Sequence, residues 1–233
     1  MRFFLTVIIS CILNDTSAQS FSYPIIKEKV NLIDEVIPAG WKILDSVYGD
    51  LNKDNLTDIT IILQRNDSVL LANDVNDSTL IQPRILLIYF RNHTSNNSFK
   101  LICQSNSFIL CDNNPAMEDP YDGISINKGI IEIKFHQFYS MGSWYTINST
   151  YKFRYQQNEF YLIGADYRSM HRASGEIEDY SYNFQTKKRS LIKSNTLSER
   201  KKTNAAIIKL PFMKTLKTFI KPFTWQVEKD VYL

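Results

Sequence analysis

Asp50, Asn52, Asp54 and Asp58 occupy positions one, three, five and nine of the stretch "DLNKDNLTD". Hard cations such as calcium take six to eight oxygen ligands, and a tightly wound loop supplies them from alternating side chains and one backbone carbonyl. Leu56 stands at position seven, where only the carbonyl matters. The expected ligand set is therefore Asp50, Asn52, Asp54, the Leu56 carbonyl and Asp58. Three carboxylates and one amide predict weak, extracellular-type calcium affinity, with Kd on the order of 10⁻⁴ to 10⁻³ M. A loop that wraps its cation leaves little open coordination for a substrate, so the expected role is structural. The competing reading is a solvated turn, because Asp and Asn also bond their own backbone.

Position six of such loops normally holds Gly for the sharp turn. Here it is Asn55, which tolerates the left-handed conformation better than most residues. An EF-hand fits poorly. Its twelfth-position Glu would fall on Ile61, and a β-branched run, "ITIILQ", replaces the exiting helix. "GDLNKDNLTDITII" instead resembles the calcium loops of FG-GAP and VCBS-type repeats, as in integrin α-chain propellers. There D-x-N/D-x-D-G-x-x-D runs into a strand. The resemblance implies the same ligands. The motif occurs once in this chain, so the propeller fold does not carry over. The wider layout is similar to a family of uncharacterised bacterial exported proteins with a "GDLN-D-D" loop, a "PR-LLIYF" strand and a hairpin ending "FRYQ-N-FYLIG". The corresponding stretches here are Gly49 to Asp58, Pro83 to Phe90 and Phe153 to Gly164. That resemblance brings no established activity.

Other reactive residues are few. Cys103 and Cys111 are expected to form a disulfide if the chain is exported, since export leads to an oxidising compartment. No Cys-x-x-Cys spacing points to redox catalysis. The histidines, His93, His136 and His171, are far apart in sequence, and no nucleophile-elbow spacing accompanies them. Asp112, Glu118, Asp119 and Asp122 crowd one loop without repeating a ligand spacing. Exposed Tyr and Trp residues between Phe135 and Tyr167 would suit sugars or a protein partner; strand filling is the plainer reading. Lys and Arg dominate the stretch from Lys187 to Lys221, read either as attraction to anionic polymers or as a solvated face with a flexible "SNTLSERKKTN" loop.

The elements that must carry these residues are mostly strands. The chain has 233 residues, 44% of them hydrophobic, which suffices for a real core. Its net charge of +3 gives no footprint for nucleic acid. Residues 1–18 read as a signal peptide, with Arg2 before the apolar "FFLTVIISCIL" and cleavage after Ala18. The alternative is a lipoprotein anchored at Cys11. No transmembrane span is expected. Ile26, Val30, Ile33 and Ile37 predict a short helix near the start, and Phe212, Leu216, Phe219 and Ile220 another near the end. Between them, hairpins follow one another, with turns at Asn127–Gly129 and Gln156–Glu159. The expected fold is mainly β: antiparallel sheets built from hairpins, sandwich or open-barrel-like, in one domain over residues 19–233.

These features point to an exported, calcium-stabilised, non-enzymatic module that binds an envelope protein or glycan. The alternative is a secreted hydrolase whose catalytic carboxylates meet only in the fold.

Overall fold

A computed structural model describes residues 21–72, 78–92 and 98–233. The signal segment 1–18, Cys11 and His93 lie outside the described residues. The first half of the chain contributes β1 (Lys29–Val30), β2 (Trp41–Gly49), β3 (Asp58–Arg65), β4 (Val69–Ala72), β5 (Ser78–Ile81), β6 (Arg84–Arg91) and β7 (Phe99–Ser105). Among the described residues, strands β4 and β5 pair only with each other. The other five form an antiparallel sheet in the order β1-β7-β6-β3-β2.

The second half is a meander. It runs through β8 (Tyr121–Asn127), β9 (Ile130–Gln137), β10 (Tyr145–Gln156), β11 (Glu159–His171), β12 (Glu176–Asn183), β13 (Lys188–Asn195) and β14 (Ser198–Ile207). Each strand pairs with its sequence neighbour, giving a seven-stranded antiparallel sheet. A short ribbon, β15 (Gln226–Glu228) with β16 (Val231–Tyr232), closes the chain. The protein is thus mainly β and antiparallel, as its alternating sequence requires.

Strands β3 and β6 are apolar on both faces because both faces are covered. Ile62, Leu86, Ile88 and Phe90 enter a core shared with Ile131, Ile133, Tyr151 and Phe153 of the large sheet. Ile59, Ile61, Ile85 and Leu87 point the other way, beneath Ile26, Val30, Val36 and Trp41 of the N-terminal segment. Phe108 sits at the centre of the shared core, edge-on to Tyr151, Phe153 and Phe219. In the same core, Phe184 packs on Trp225 at 5.3 Å.

Neither expected helix forms. Val30 pairs with Phe99 at the sheet edge, and the Leu101 N–H bonds to the Glu28 carbonyl at 2.7 Å. Only a 3₁₀ turn over Ile33–Val36 remains. An open sheet edge offers this backbone the same hydrogen bonds a helix would, and the β-branched residues favour it. Near the C-terminus the reason is similar. The paired residues of β11 and β12 run out at Gly164 with Asn183, which leaves Phe160 and Leu162 in need of partners. Lys214 and Leu216 supply them, through Leu162 N–H to Lys214 O (2.8 Å) and Leu216 N–H to Phe160 O (3.0 Å). The apolar spacing of Leu216 and Phe219 therefore serves a turn. The "SNTLSERKKTN" stretch is likewise ordered. It forms a tight turn and β14, because the β13 edge offers a ladder to join.

Candidate functional site

The aspartate-rich loop joins β2 to β3 at the seam between the two sheets. Gly49 is required there: a Cβ at this position would lie 2.5 Å from Ile126 Cγ2 on β8. Gly129, in the turn after β8, lies over the loop backbone, where a Cβ would meet the Asp50 carbonyl at 3.2 Å. Leu51 is buried in the shared core. Loop conformation is therefore coupled to the packing of one sheet on the other.

Inside the loop, carboxylates wind the backbone around themselves. Asp50 Oδ1 accepts from the Lys53 N–H (2.7 Å) and Asp54 N–H (3.2 Å), and Oδ2 from the Asn55 N–H (3.0 Å). Asn52 Oδ1 accepts from the Asp54 N–H at 3.0 Å, and Asp54 Oδ1 from the Leu56 N–H at 2.8 Å. Asn52 Nδ2 donates to Asp54 Oδ2 at 2.9 Å. Asn55 takes the left-handed conformation (φ 66°) in place of the usual Gly. Lys53 shares it (φ 66°), which the sequence did not signal.

Asp58 is fully buried. It accepts from the Leu51 N–H (2.8 Å) and the Arg91 N–H (3.0 Å), tying the loop to the end of β6. Burial pushes its carboxyl up to about 6; the two N–H groups oppose this, and the charges of Asp54 and Asp50 add to it. Asp50, Asp54 and Asp58 make no ion pair among the described residues. Their donor chemistry fits a calcium ion. Their present geometry is that of a hydrogen-bonded turn, and among the described residues no three His, Cys, Asp or Glu side chains converge as a formed metal site.

The expected disulfide is not formed. Cys103 and Cys111 are both free thiols. Cys103 lies beside Glu159 and Lys217, whereas Cys111 lies near Arg84 and Asp119, so the two face different neighbourhoods. Burial pushes the Cys103 thiol up to about 11 and raises Cys111 as well. Thiolate is the reactive form. Both cysteines are thus expected to resist a thiol reagent in the native protein at neutral pH and to react at once after unfolding. Fast native labelling of both would contradict this burial.

The second acidic loop is structural. Asp119 forms a bidentate pair with Arg84, and Asp112 caps the Asn114 N–H. His136 bonds to Asn148 at 2.7 Å, and His171 bonds to Ser174 at 2.9 Å. The β10 ladder sets their partners, Asn148 and Tyr145, on opposite faces of the sheet, so the two histidines do not share a site.

A feature the sequence did not reveal is a trough of about 510 Å³ on the open end of the large sheet. It crosses from Tyr145 on β10 to Arg200 and Lys202 on β14. Only the register of five strands brings these residues together. In comparisons with known proteins, no family model, no curated protein and no solved structure matches this chain.

Proposed function

We propose that the protein is an exported binding module whose Asp50–Asp58 loop takes up calcium as a structural fastening. The observation that carries this reading is the uncompensated charge at the seam. Three neighbouring carboxylates, one of them buried, meet no cationic side chain among the described residues. A divalent ion would relieve that repulsion and hold the loop against Gly129 and Ile126. Binding requires Asn52 to release its amide bond to Asp54, turning its carbonyl oxygen and Asp54 Oδ2 toward the ion. The apolar leader over residues 1–18 supports export. A trough with mixed polar, aromatic and charged walls supports binding of an envelope component.

Calcium at about 5 mM is expected to raise the melting temperature by roughly 2–9 °C, given a Kd on the order of 10⁻⁴ to 10⁻³ M. Asp54→Ala should remove that increment while leaving the fold intact. A melting temperature insensitive to calcium in the unaltered protein would reduce the loop to a turn.

A further inference from the structure

The trough on the large sheet has a division of chemistry across its width. Five strands at the usual spacing span roughly 19 Å. At the β10 end, Tyr145 is 49% exposed and stands edge-on to His171, with ring centroids 4.9 Å apart. At the other end, Arg200 and Lys202 project from β14. Neither makes an ion pair among the described residues. Between them, Lys193 is neutralised by Glu178 at 2.5 Å, and Tyr180 Oη donates to the same carboxylate at 3.2 Å. Ser169, Glu176 and Ser198 add hydroxyl and carboxylate groups along the floor.

The strand that carries Arg200 and Lys202 buries almost nothing. From Ser198 to Ile207 only Ala206 is partly covered. The strand is held by its ladder to β13 and by a bond from Arg189 Nη1 to Asn204 Oδ1 at 2.8 Å. A strand gains little from such a position unless its side chains serve something outside the core.

We infer that this trough binds an oligosaccharide bearing an anionic group, with the sugar ring on Tyr145 and the acid on Arg200 and Lys202. An aromatic wall accepts the apolar face of a pyranose. Carboxylate and hydroxyl groups along the floor match sugar hydroxyls. The unpaired guanidinium and ammonium then select a carboxylate or sulfate on the glycan. Glu176 and Glu178 set the limit. A nucleic acid or a strongly acidic peptide, charged at every unit, would meet both carboxylates in passing, whereas a glycan charged at intervals need not. The assignment rests on reading the protein as a binding module and names the ligand class for it.

The test uses the mature chain and two probes that differ only in charge: a xylotriose bearing a single glucuronate branch, and its methyl ester. Calorimetry should give sub-millimolar binding of the acid and at least tenfold weaker binding of the ester. Arg200→Glu with Lys202→Glu, both on the exposed edge, should weaken the acid at least tenfold and leave the ester unchanged. Tyr145→Ala should weaken both. Lys209→Glu, outside the trough, should bind like the unaltered protein. No measurable binding of the acid, equal binding of the ester, or an unaffected double variant would each overturn the inference. Capture from an envelope extract runs in parallel. A captured component with no binding of the acidic xylotriose sinks the ligand class alone, and failure of both sinks the binding-module reading as well.

Discussion

Asp58→Ala is expected to destabilise the protein by about 2–4 kcal/mol and to abolish any calcium response. The substitution leaves the Leu51 and Arg91 N–H groups without an acceptor inside the protein, at about 1–3 kcal/mol each. Losing a carboxylate that is itself costly to bury offsets part of this. The pH dependence separates the two effects. The folded carboxyl titrates at about 6, above its ordinary 3.8. Between these values the folded state binds more protons than the unfolded one. The contribution is therefore full below about pH 4, is lost as pH rises toward 6, and is flat above. Urea melts without calcium at pH 4.5 and 7 should show that slope, and Asp58→Asn should lack it. Calcium competes with the proton, so its increment should grow over the same interval. A calcium effect as large at pH 4.5 as at pH 7 would refute the role assigned to Asp58.

Arg84→Met is expected to cost about 2–4 kcal/mol, because it leaves the Gln64 and Leu110 oxygens without their donor at about 1–3 kcal/mol each. The guanidinium is buried at the start of β6, with 4% of its surface exposed. Its Nε donates to Gln64 Oε1 at 3.0 Å, and one terminal nitrogen donates to the Leu110 carbonyl at 2.5 Å. Both terminal nitrogens bind Asp119, which leads into β8 of the large sheet. Burial raises the Asp119 carboxyl, but the Arg84 and Tyr121 hydrogen bonds outweigh it and hold the group below its ordinary range. Its stabilising contribution is present at neutral pH and disappears only as pH falls through that lowered value. Asp119→Asn should cost less, because the aspartate side chain is 51% exposed and Arg84 keeps two other acceptors. Chemical denaturation of both variants checks the order. Equal, small losses would mean that the pair does not join the sheets.

Alternation in the sequence made the hairpins legible. "GISINKGIIEIKFHQF" gives β8 and β9 with Ile131, Ile133 and Phe135 inward, because period-two burial leaves no other register. The helix expectations failed where apolar spacing fitted two periods at once. Val30 and Leu216 were decided by distant backbone, at Phe99 and Phe160, and no local pattern contains that information. In the acidic loop, Asn55 was readable as a left-handed position, while Lys53 was not, since its conformation follows from three N–H groups closing on Asp50. The trough was illegible for a different reason. Tyr145 and Lys202 are 57 residues apart, and each alone looks like an ordinary exposed strand residue.

Strand β14 also bears on self-association. It is an outer strand of the seven-stranded sheet, an invitation to pair with a copy of itself. Arg200, Lys201 and Lys202 follow one another in its first half, so copies stacked in parallel, in-register fashion would set like charges opposite one another. The same cations that face outward as recognition groups thus guard against fibrillar stacking. Any ligand that neutralises them relaxes that guard, which ties solubility of the protein to the occupancy of its open edge.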